Sequence, residues 1–392
     1  MKIYLIDNKS IGAPNLADAM RKKGWQVQTK QTDIDGRRRI TSLEEELERE
    51  IKQTRYDYLV SFNYYPVLAE VCHRCGLKYI SWVYDSPLVA LYSYTMVYDT
   101  NYVFLFDYAT YKELKEIGLQ QVFYLPLASN TWNSPFFQKN NGKYPHMQVS
   151  FIGSMYDEKR NDLYSRFSNV SDFSKGYMDA LIQAQKNLYG VDIIKNSIPE
   201  RILEELKEVV PYNTGINKEG VETDAYIYEE YFLKRKVTAL ERKEVLQRIS
   251  GKYDTYLFSG RKPEYLPEIH YMGMADYYTE MPQVFCNSDI NLNITLKSIG
   301  TGIPERILDI MGAGGFLLTN YQTEMEEYFH AGVDYDYYGD MDDLEEKAEF
   351  YLKNPQIREK IAASGYEKIG KFFNYNDRLD EMVRLVEENE KV

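Results

Sequence analysis

The chain has 392 residues, more than the roughly 150 that one domain usually holds, so we expect two domains. With 44% hydrophobic and 27% charged residues it has the composition of a globular protein, which excludes an intrinsically disordered chain. A net charge of −13 argues against broad nucleic-acid binding, which depends on neutralising phosphates with Lys and Arg, and three cysteines cannot form a disulfide framework.

No segment has the pattern of a signal peptide or a membrane span. The apolar run at the start of the chain becomes polar at Asp7, and no stretch approaches the roughly 18 apolar residues that a span requires. We therefore expect a cytoplasmic protein without an integral membrane segment and without a nucleic-acid partner.

The first 130 residues alternate between strand and helix patterns. Strands are predicted at residues 2–6, 25–29, 58–62, 79–84, 102–107 and 122–125, and helices at residues 15–23, 42–54, 67–75 and 109–117. Such alternation is typical of a parallel, doubly wound sheet with helices on both faces.

The same pattern begins again after a polar segment, residues 131–148, which has the composition of a linker. Later strands are predicted at residues 149–152, 253–258, 290–294 and 316–319, with helices at residues 304–311 and 344–388. The predicted fold is therefore α/β, with two Rossmann-like doubly wound domains: residues 1–130, and residues 149–373 with a helical insertion at about 157–250. In such sheets ligands bind outside the carboxyl ends of the strands, so we expect the site in a cleft between the domains.

The loop at residues 295–302 is the first candidate site, because it leads from a strand into a helix that begins at Pro304. A helix N-terminus presents unpaired N–H groups that bind anions, and Gly302 allows a phosphate to approach the backbone. Glu305 and Asp309 share a helix face suited to ribose hydroxyls, and Arg306 can pair with phosphate. The spacing fits equally well a helix with a surface Glu–Arg–Asp cluster.

A second phosphate candidate follows the strand at residues 149–152. Gly153 ends that strand, Ser154 supplies a hydroxyl, and Arg160 follows one or two turns later. Two such loops at one sheet edge favour a diphosphate site. The alternative for Arg160 is an ordinary surface position.

In the first domain, polar residues follow the strands at the same carboxyl edge. Asp85 is a candidate base for an acceptor hydroxyl, and Asn63 and Gly12 are candidate acceptor-binding positions. The alternative for Asp85 is an Asx turn before Ser86 and Pro87.

No metal site is expected. Cys72 and Cys75 form a CxxC pair within a predicted helix, whereas a structural zinc site needs four ligands. The acidic run at residues 334–343 has the composition of a solvated loop.

Several segments together resemble a known family. IGTGIPERILD followed by IMGAGGFLLTNY, with FIGSMYDEKR upstream, resembles the C-terminal domain of the CgeB-like (spore-maturation type) GT-B-fold glycosyltransferases. SFNYYP, WVYDSP, VFLFDY and YLPLASN are similar, in order and spacing, to the N-terminal domain commonly fused to it. Nearly the whole chain is covered, except residues 161–250.

The resemblance implies a metal-independent enzyme whose second domain binds a nucleotide sugar, whose first domain binds the acceptor, and whose C-terminal helix, residues 374–392, returns to the first domain. The enzyme that the resemblance implies needs no cofactor, and the nucleotide sugar is its donor substrate. The positions that the resemblance implies for donor binding are Gly153, Arg160, Gly273, Asn293, Thr295, Arg306 and Asp309. Ser154, Asn291, Gly302 and Glu305, from the same loops and strand, complete the predicted donor-binding set. Within that set, Gly273 would read the nucleobase and Asp309 would bind ribose. Asp309 stands where related enzymes carry Glu, and Thr301 stands where retaining relatives carry a second Glu.

The sequence therefore predicts a glycosyltransferase that moves a sugar, of the hexosyl type, to a surface glycan, a spore-coat component or a protein. The alternatives are a non-catalytic GT-B-like scaffold or sugar-binding partner, which the departures at Asp309 and Thr301 motivate, and a nucleotide-sugar epimerase of the same shape. The helical insertion is a candidate homodimer surface, acceptor-binding arm or membrane-docking element, although its mixed charge argues against strong membrane binding.

Overall fold

The computed structural model describes residues 1–34, 39–130, 143–159, 161–211 and 220–389. The chain forms two compact units. The first contains residues 1–127, 212–223 and 375–392, and the second contains residues 128–211 and 224–374. The chain therefore first enters the second unit between Leu127 and Ala128, returns to the first unit for residues 212–223, and finally leaves the second unit between Asn374 and Tyr375.

The first unit is built on a six-stranded parallel sheet with the strand order β2-β1-β3-β4-β5-β6. Its strands are β1 (Lys2–Asp7), β2 (Gln26–Gln31), β3 (Tyr58–Phe62), β4 (Lys78–Val83), β5 (Asn101–Leu105) and β6 (Val122–Tyr124). Its helices α1 (Ala13–Lys22), α2 (Thr41–Gln53), α3 (Pro66–Cys75) and α4 (Tyr108–Glu116) alternate with the strands. Every residue of β3 and β5 is buried, as expected for inner strands of a parallel sheet that is covered on both faces.

The second unit has a six-stranded parallel sheet with the order β12-β11-β10-β7-β8-β9. Its strands are β7 (Met147–Ile152), β8 (Thr255–Phe258), β9 (His270–Gly273), β10 (Ser288–Asn293), β11 (Leu317–Asn320) and β12 (Asp336–Tyr338). Its helices are α5 (Asp172–Lys186), α6 (Glu200–Val209), α7 (Asp224–Ile227), α8 (Lys234–Ser250), α9 (Met281–Asn287), α10 (Glu305–Gly312), α11 (Met325–Tyr328), α12 (Met341–Lys353) and α13 (Pro355–Phe372). The core under this sheet joins β7, β8 and β10 to α8, α12 and α13. None of the helices in the described part of the chain is long and apolar enough to cross a membrane.

The helical insertion contains α5 to α8. A π-helical segment, Tyr228–Leu233, joins α7 to α8, so that residues 224–250 form one helical run. Residues 220–223 belong to the first unit, where the Val221 N–H donates to the carbonyl oxygen of Tyr92 at 2.8 Å.

The last helix, α14 (Tyr375–Asn389), belongs to the first unit. It packs against α1, and an ion pair of 2.7 Å joins Lys23 to Asp380.

The prediction of a solvated loop at residues 334–343 was wrong, because this run contains β12. The carboxylate of Asp336 accepts hydrogen bonds from the Tyr351 hydroxyl at 2.6 Å and the Lys347 ammonium at 3.3 Å. These partners allow an acidic residue to lie buried in an edge strand.

Candidate functional site

Arg242, on α8, joins the loops that follow two neighbouring strands of the second sheet. Its guanidinium is buried and donates through Nε and Nη2 to the carbonyl oxygen of Ile294, at 3.2 and 2.6 Å. Through Nη1 it donates to the carbonyl oxygen of Ser154. The rings of Phe151 and Tyr156 lie 5.3 and 4.9 Å from its Cζ.

Burial lowers the pKa of Arg242, because a cation is less well solvated there, but a guanidinium stays charged in proteins. The hydrogen bonds described for this side chain all end on backbone carbonyls, none on a carboxylate. A positive charge is therefore held at the carboxyl edge of β7 and β10, where an anionic ligand would be stabilised.

Gly153 and Ser154 begin the loop after β7. A Cβ at Gly153 would lie 3.1 Å from the Phe151 ring and 3.5 Å from Nη1 of Arg242, so the close packing favours glycine. The Ser154 hydroxyl is bound by the carboxylate of Glu158, at 2.9 and 2.8 Å. Burial raises the pKa of Glu158, but hydrogen bonds from Asn161, the Met155 N–H and Ser154 outweigh it and lower the pKa overall. Arg160 lies outside the described residues.

Polar side chains at the ends of β10 and β11 hold the loop that leads to α10. Asn293 donates to the hydroxyls of Thr295 and Thr319, both at 3.0 Å, and Asn320 accepts the Thr295 N–H at 2.9 Å. Asn291, further back in β10, donates to the carbonyls of residues 285 and 316 and accepts the Ser150 hydroxyl. These side chains are buried, so in this structure they hold the loop in place from the interior of the unit.

Two further contacts fix the end of this loop. The Gln322 amide donates to the carbonyl oxygen of Gly302 at 2.7 Å, and the Thr301 hydroxyl donates to Glu324 at 2.6 Å. Side chains that follow β11 thus orient the approach to α10.

The first turn of α10 carries Glu305 and Arg306. Pro304 is the N-cap residue, in an extended conformation. Nη1 of Arg306 lies 3.3 Å from a carboxylate oxygen of Asp309 and 3.0 Å from the Met281 sulfur. The Tyr277 hydroxyl, from the loop after β9, is 3.4 Å from Glu305.

Asp309, one turn further on, is 1% exposed. Its Oδ1 accepts hydrogen bonds from the hydroxyls of Tyr277 at 2.9 Å and Ser129 at 3.4 Å. Burial raises the pKa of Asp309 to about 6, against the opposing effects of Arg306, Tyr277 and Ser129. In this conformation both carboxylate oxygens contact side chains of the second unit. The binding of ribose by Asp309 stays a prediction.

Gly273 is the last residue of β9 and has φ +80°, a conformation that a side chain would strain. Its backbone is therefore held by glycine at the carboxyl edge of the sheet, and its contact with a nucleobase stays a prediction.

The helical insertion also contacts the β10–α10 loop. The ammonium of Lys297 lies 3.9 Å from the centre of the Tyr189 ring and 3.5 Å from the buried carboxylate of Glu241. Tyr189, from the connection after α5, donates its hydroxyl to the same carboxylate at 2.7 Å. Burial lowers the pKa of Lys297, and Glu241 partly offsets this effect.

In the first unit, Asn63 and Asp85 are joined at the carboxyl edge of β3 and β4. Asn63 donates its amide to Asp85 Oδ2 at 2.9 Å, and its Oδ1 accepts the N–H groups of Tyr84 and Asp85 at 2.9 and 3.0 Å. Asn63 has φ +58°, a left-handed conformation that Asn tolerates. The surrounding protein desolvates the Asp85 carboxylate and raises its pKa, although the amide of Asn63 lowers it.

Gly12, the other expected acceptor position, is buried. A Cβ there would lie 3.0 Å from the Phe62 ring and 3.2 Å from the Tyr375 hydroxyl. Its visible role is close packing, and acceptor binding stays a prediction.

Three residues of this site could not be predicted from the sequence: Arg242, Tyr277 and Ser129. The cation predicted for the Gly153–Ser154 loop was Arg160, whereas Arg242 lies about 90 residues away in the sequence, on a helix. Among the described residues, no group of three or more His, Cys, Asp or Glu side chains could hold a metal ion.

Comparison with known proteins gives this site a context. Residues 235–384 match a family model described as glycosyl transferase-like. A search of curated proteins finds no match.

Solved structures match over the whole chain. Sucrose-phosphate synthase from Thermosynechococcus elongatus is 10% identical, with a TM-score of 0.57 over 100% of this chain and 99% of that one. HepE from Anabaena, in complex with UDP-glucose, is 10% identical with a TM-score of 0.55, covering 99% and 100%. A glycosyltransferase from Rickettsia africae is 10% identical with a TM-score of 0.52, covering 99% and 98%.

At this identity the likeness shows the fold. The chain has the GT-B fold of two Rossmann-like domains, which confirms the fold prediction. The CgeB-like subtype stays a prediction.

Proposed function

We propose that the protein is a glycosyltransferase that uses a nucleoside-diphosphate sugar as donor. The observation that carries this proposal is the carboxyl edge of the second sheet, where buried Arg242 joins the loops after β7 and β10 and the second loop leads into α10. A departing diphosphate needs positive charge and N–H donors in a partly dry site, and this edge provides both. The match of residues 235–384 to a glycosyl transferase-like model supports the assignment.

In this proposal the donor meets Gly153, Ser154, Gly302, Glu305 and Arg306. Arg306 is partly exposed and has Asp309 as its charged partner, so its guanidinium can turn from that carboxylate to a phosphate. Arg242 is buried beneath the two loops, where it holds their backbones through hydrogen bonds and supplies a positive charge. UDP is a reasonable first nucleotide to test, because HepE, with the same fold, was solved with UDP-glucose.

The first unit provides the acceptor groups in this proposal. The bond between the anomeric carbon and the diphosphate oxygen breaks, its electron pair leaves with the diphosphate, and the acceptor hydroxyl oxygen bonds to that carbon. The hydroxyl proton passes to the carboxylate of Asp85, whose raised pKa makes it a stronger base. The acceptor is a surface glycan, a spore-coat component or a protein, the transferred sugar is a hexose, and no metal takes part.

Isothermal calorimetry with UDP, GDP, CDP and dTDP, each with and without EDTA, tests donor binding. One nucleotide should bind equally well with EDTA, and Arg306→Ala should weaken it while Arg248→Ala, an exposed control on α8, should not. In a separate unfolding measurement, a nucleotide present at 100 times its Kd should raise the free energy of unfolding by about 2.7 kcal/mol. If no diphosphate nucleotide binds to well-folded protein, the proposal is wrong.

The alternative of a non-catalytic scaffold rests on Asp309 and Thr301, whose side chains contact other protein groups in this structure. The two functions separate in a second assay, in which the sugar nucleotide of the bound base is incubated with the protein and with surface glycans or proteins as acceptors. Release of nucleotide, lost in Asp85→Asn, supports transfer. Nucleotide or glycan binding without any release supports the scaffold.

A further inference from the structure

We infer that Asp309 is a positioning residue that links the first turn of α10, which carries Glu305 and Arg306, to two of the four places where the chain passes between the units. This inference rests on the proposed function only for the identity of the ligand. The contacts that carry it lie within the second unit.

The first and the last of these crossings, the crossing segments, are hydrogen-bonded to each other. The chain first enters the second unit at Ala128 and finally leaves it after Asn374. The Ser129 N–H donates to the carbonyl oxygen of Phe373 at 2.8 Å. Phe373 is buried, and its ring stacks on Phe329 with 5.3 Å between centroids. The entry and exit segments therefore move together unless the hydrogen bond between Ser129 and Phe373 breaks.

Helix α10 packs directly on the entry segment. The Ser129 hydroxyl donates to Asp309 Oδ1 at 3.4 Å. Gly312 lies three residues after Asp309, and a methyl group there would overlap the carbonyl oxygen of Asn130. Only glycine allows the helix and the segment to approach this closely.

The other contacts of Asp309 lead to the donor-binding turn. Oδ2 faces Nη1 of Arg306 at 3.3 Å, and Oδ1 accepts the Tyr277 hydroxyl, which is also near Glu305. A diphosphate that attracts Arg306 would remove the cation partner of a buried carboxylate. The remaining partners of that carboxylate, Tyr277 and Ser129, would then have to readjust. Donor binding would in this way perturb the hydrogen bond between the Ser129 N–H and the Phe373 carbonyl oxygen.

The chain offers a close chemical control. Asp336, in β12, is also buried, accepts a tyrosine hydroxyl from Tyr351 and pairs with a cation, Lys347. These hydrogen bonds and this ion pair involve neither crossing segment. Asp336→Asn and Lys347→Gln therefore reproduce the same chemical changes at a site that should not affect the crossings.

The test is amide hydrogen exchange, resolved at residues 127–130 and 371–375 of the full chain. Without ligand, Arg306→Gln should speed exchange at Ser129 by about fivefold, the factor expected for loss of one hydrogen bond, whereas Lys347→Gln should leave it unchanged. Asp309→Asn and Ser129→Ala should each speed exchange at Ser129 as Arg306→Gln does. Exchange in the double variant Asp309→Asn/Ser129→Ala should be no faster than in either single variant. Equal exchange in Arg306→Gln and wild type would overturn the inference.

A second arm adds UDP and, separately, inorganic pyrophosphate. Either ligand, at a concentration that saturates each variant, should change exchange at Ser129 in wild type and in Asp336→Asn, but not in Asp309→Asn. A ligand-induced change in Asp309→Asn equal to that in wild type would overturn the inference. Failure of wild type to bind any nucleotide would count against the proposed function, while the ligand-free arm would still decide the inference.

Discussion

Arg242 and Ile294 are joined by a two-pronged hydrogen bond, in which Nε and Nη2 of the guanidinium both donate to one backbone carbonyl oxygen, at 3.2 and 2.6 Å. Ile294 is the residue that follows β10. The third contact of the same guanidinium, to the Ser154 carbonyl, lies beyond β7, the strand next to β10. One side chain thus sets the separation of two loops.

Arg242→Lys should lower both stability and nucleotide affinity. An ammonium cannot reproduce the planar fork, so at least one carbonyl loses its donor in a buried site. The free energy of unfolding should fall by about 1.5–3 kcal/mol, the usual range for hydrogen bonds to a charged group. Urea unfolding and calorimetry with the identified nucleotide measure the two effects.

The matched control is Arg248→Lys, six residues further along α8. Arg248 pairs with Asp342 and Glu345 at the surface, where ion pairs contribute little. An equal loss of stability in the two variants would mean that the fork of Arg242 has no special part in holding the loops.

Gly312→Ala should destabilise the second unit. The added methyl group would meet the carbonyl oxygen of Asn130, and backbone cannot give way as a flexible side chain can. Overpacking of this kind costs about 1–3 kcal/mol. Gly176→Ala is the control, because Gly176 lies inside α5 with no atom near its Cβ position, and alanine there should stabilise the helix by roughly 0.5–1 kcal/mol. Thermal unfolding of both variants should therefore shift in opposite directions.

The inner strands of both sheets could be predicted because burial on both faces makes them continuous apolar runs. The five residues of β3 are the clearest case, and the predicted bounds equal the observed ones. The edge strands β9 and β12 could not be recognised in this way. β9 alternates exposed and half-buried residues, and β12 contains only three residues, beginning with Asp336.

The candidate site could be predicted only as far as neighbouring residues define it. The β10–α10 loop and the residues after β3, β4 and β7 follow from the rule that ligands bind at the carboxyl edge of a parallel sheet. Arg242 was missed because it lies in a charged helical segment, and nothing in Glu241–Arg242–Lys243 tells which side chain is buried. The direction of Asp309 was also beyond the sequence, because it depends on Ser129, 180 residues away.

Asp85→Asn should abolish most of the sugar transfer and leave the fold intact. Asn cannot take a proton from the acceptor, so kcat should fall roughly a hundredfold or more, the range for loss of general base catalysis. The KM for the donor should hardly change. Asp99→Asn, an exposed carboxylate of the same unit, is the control and should keep wild-type activity. Equal activity of Asp85→Asn and wild type would exclude Asp85 as the base.

The pH profile of kcat should rise with pH through the pKa of Asp85, since the base must be deprotonated to act. Desolvation places this rise above the ordinary aspartate range, and the Asn63 amide holds it lower than desolvation alone would. Asn63→Gly keeps the left-handed backbone accessible but removes the amide, so the rise should move to higher pH. A shift to lower pH would contradict the role assigned to Asn63.

Stability should also depend on pH through Asp309. Its pKa is about 6 in the folded protein and about 3.9 in an unfolded chain, so the folded state holds the proton more tightly. As pH rises from roughly 4 to 6, the unfolded state loses its proton first, and the folded state loses up to about 3 kcal/mol of relative stability. Asn has no proton to lose, so Asp309→Asn should remove this decline, whereas Asp336→Asn should retain it. Urea unfolding at intervals between pH 4 and 7.5 measures the slopes, and parallel curves for wild type and Asp309→Asn would show that the buried carboxylate does not titrate in this window.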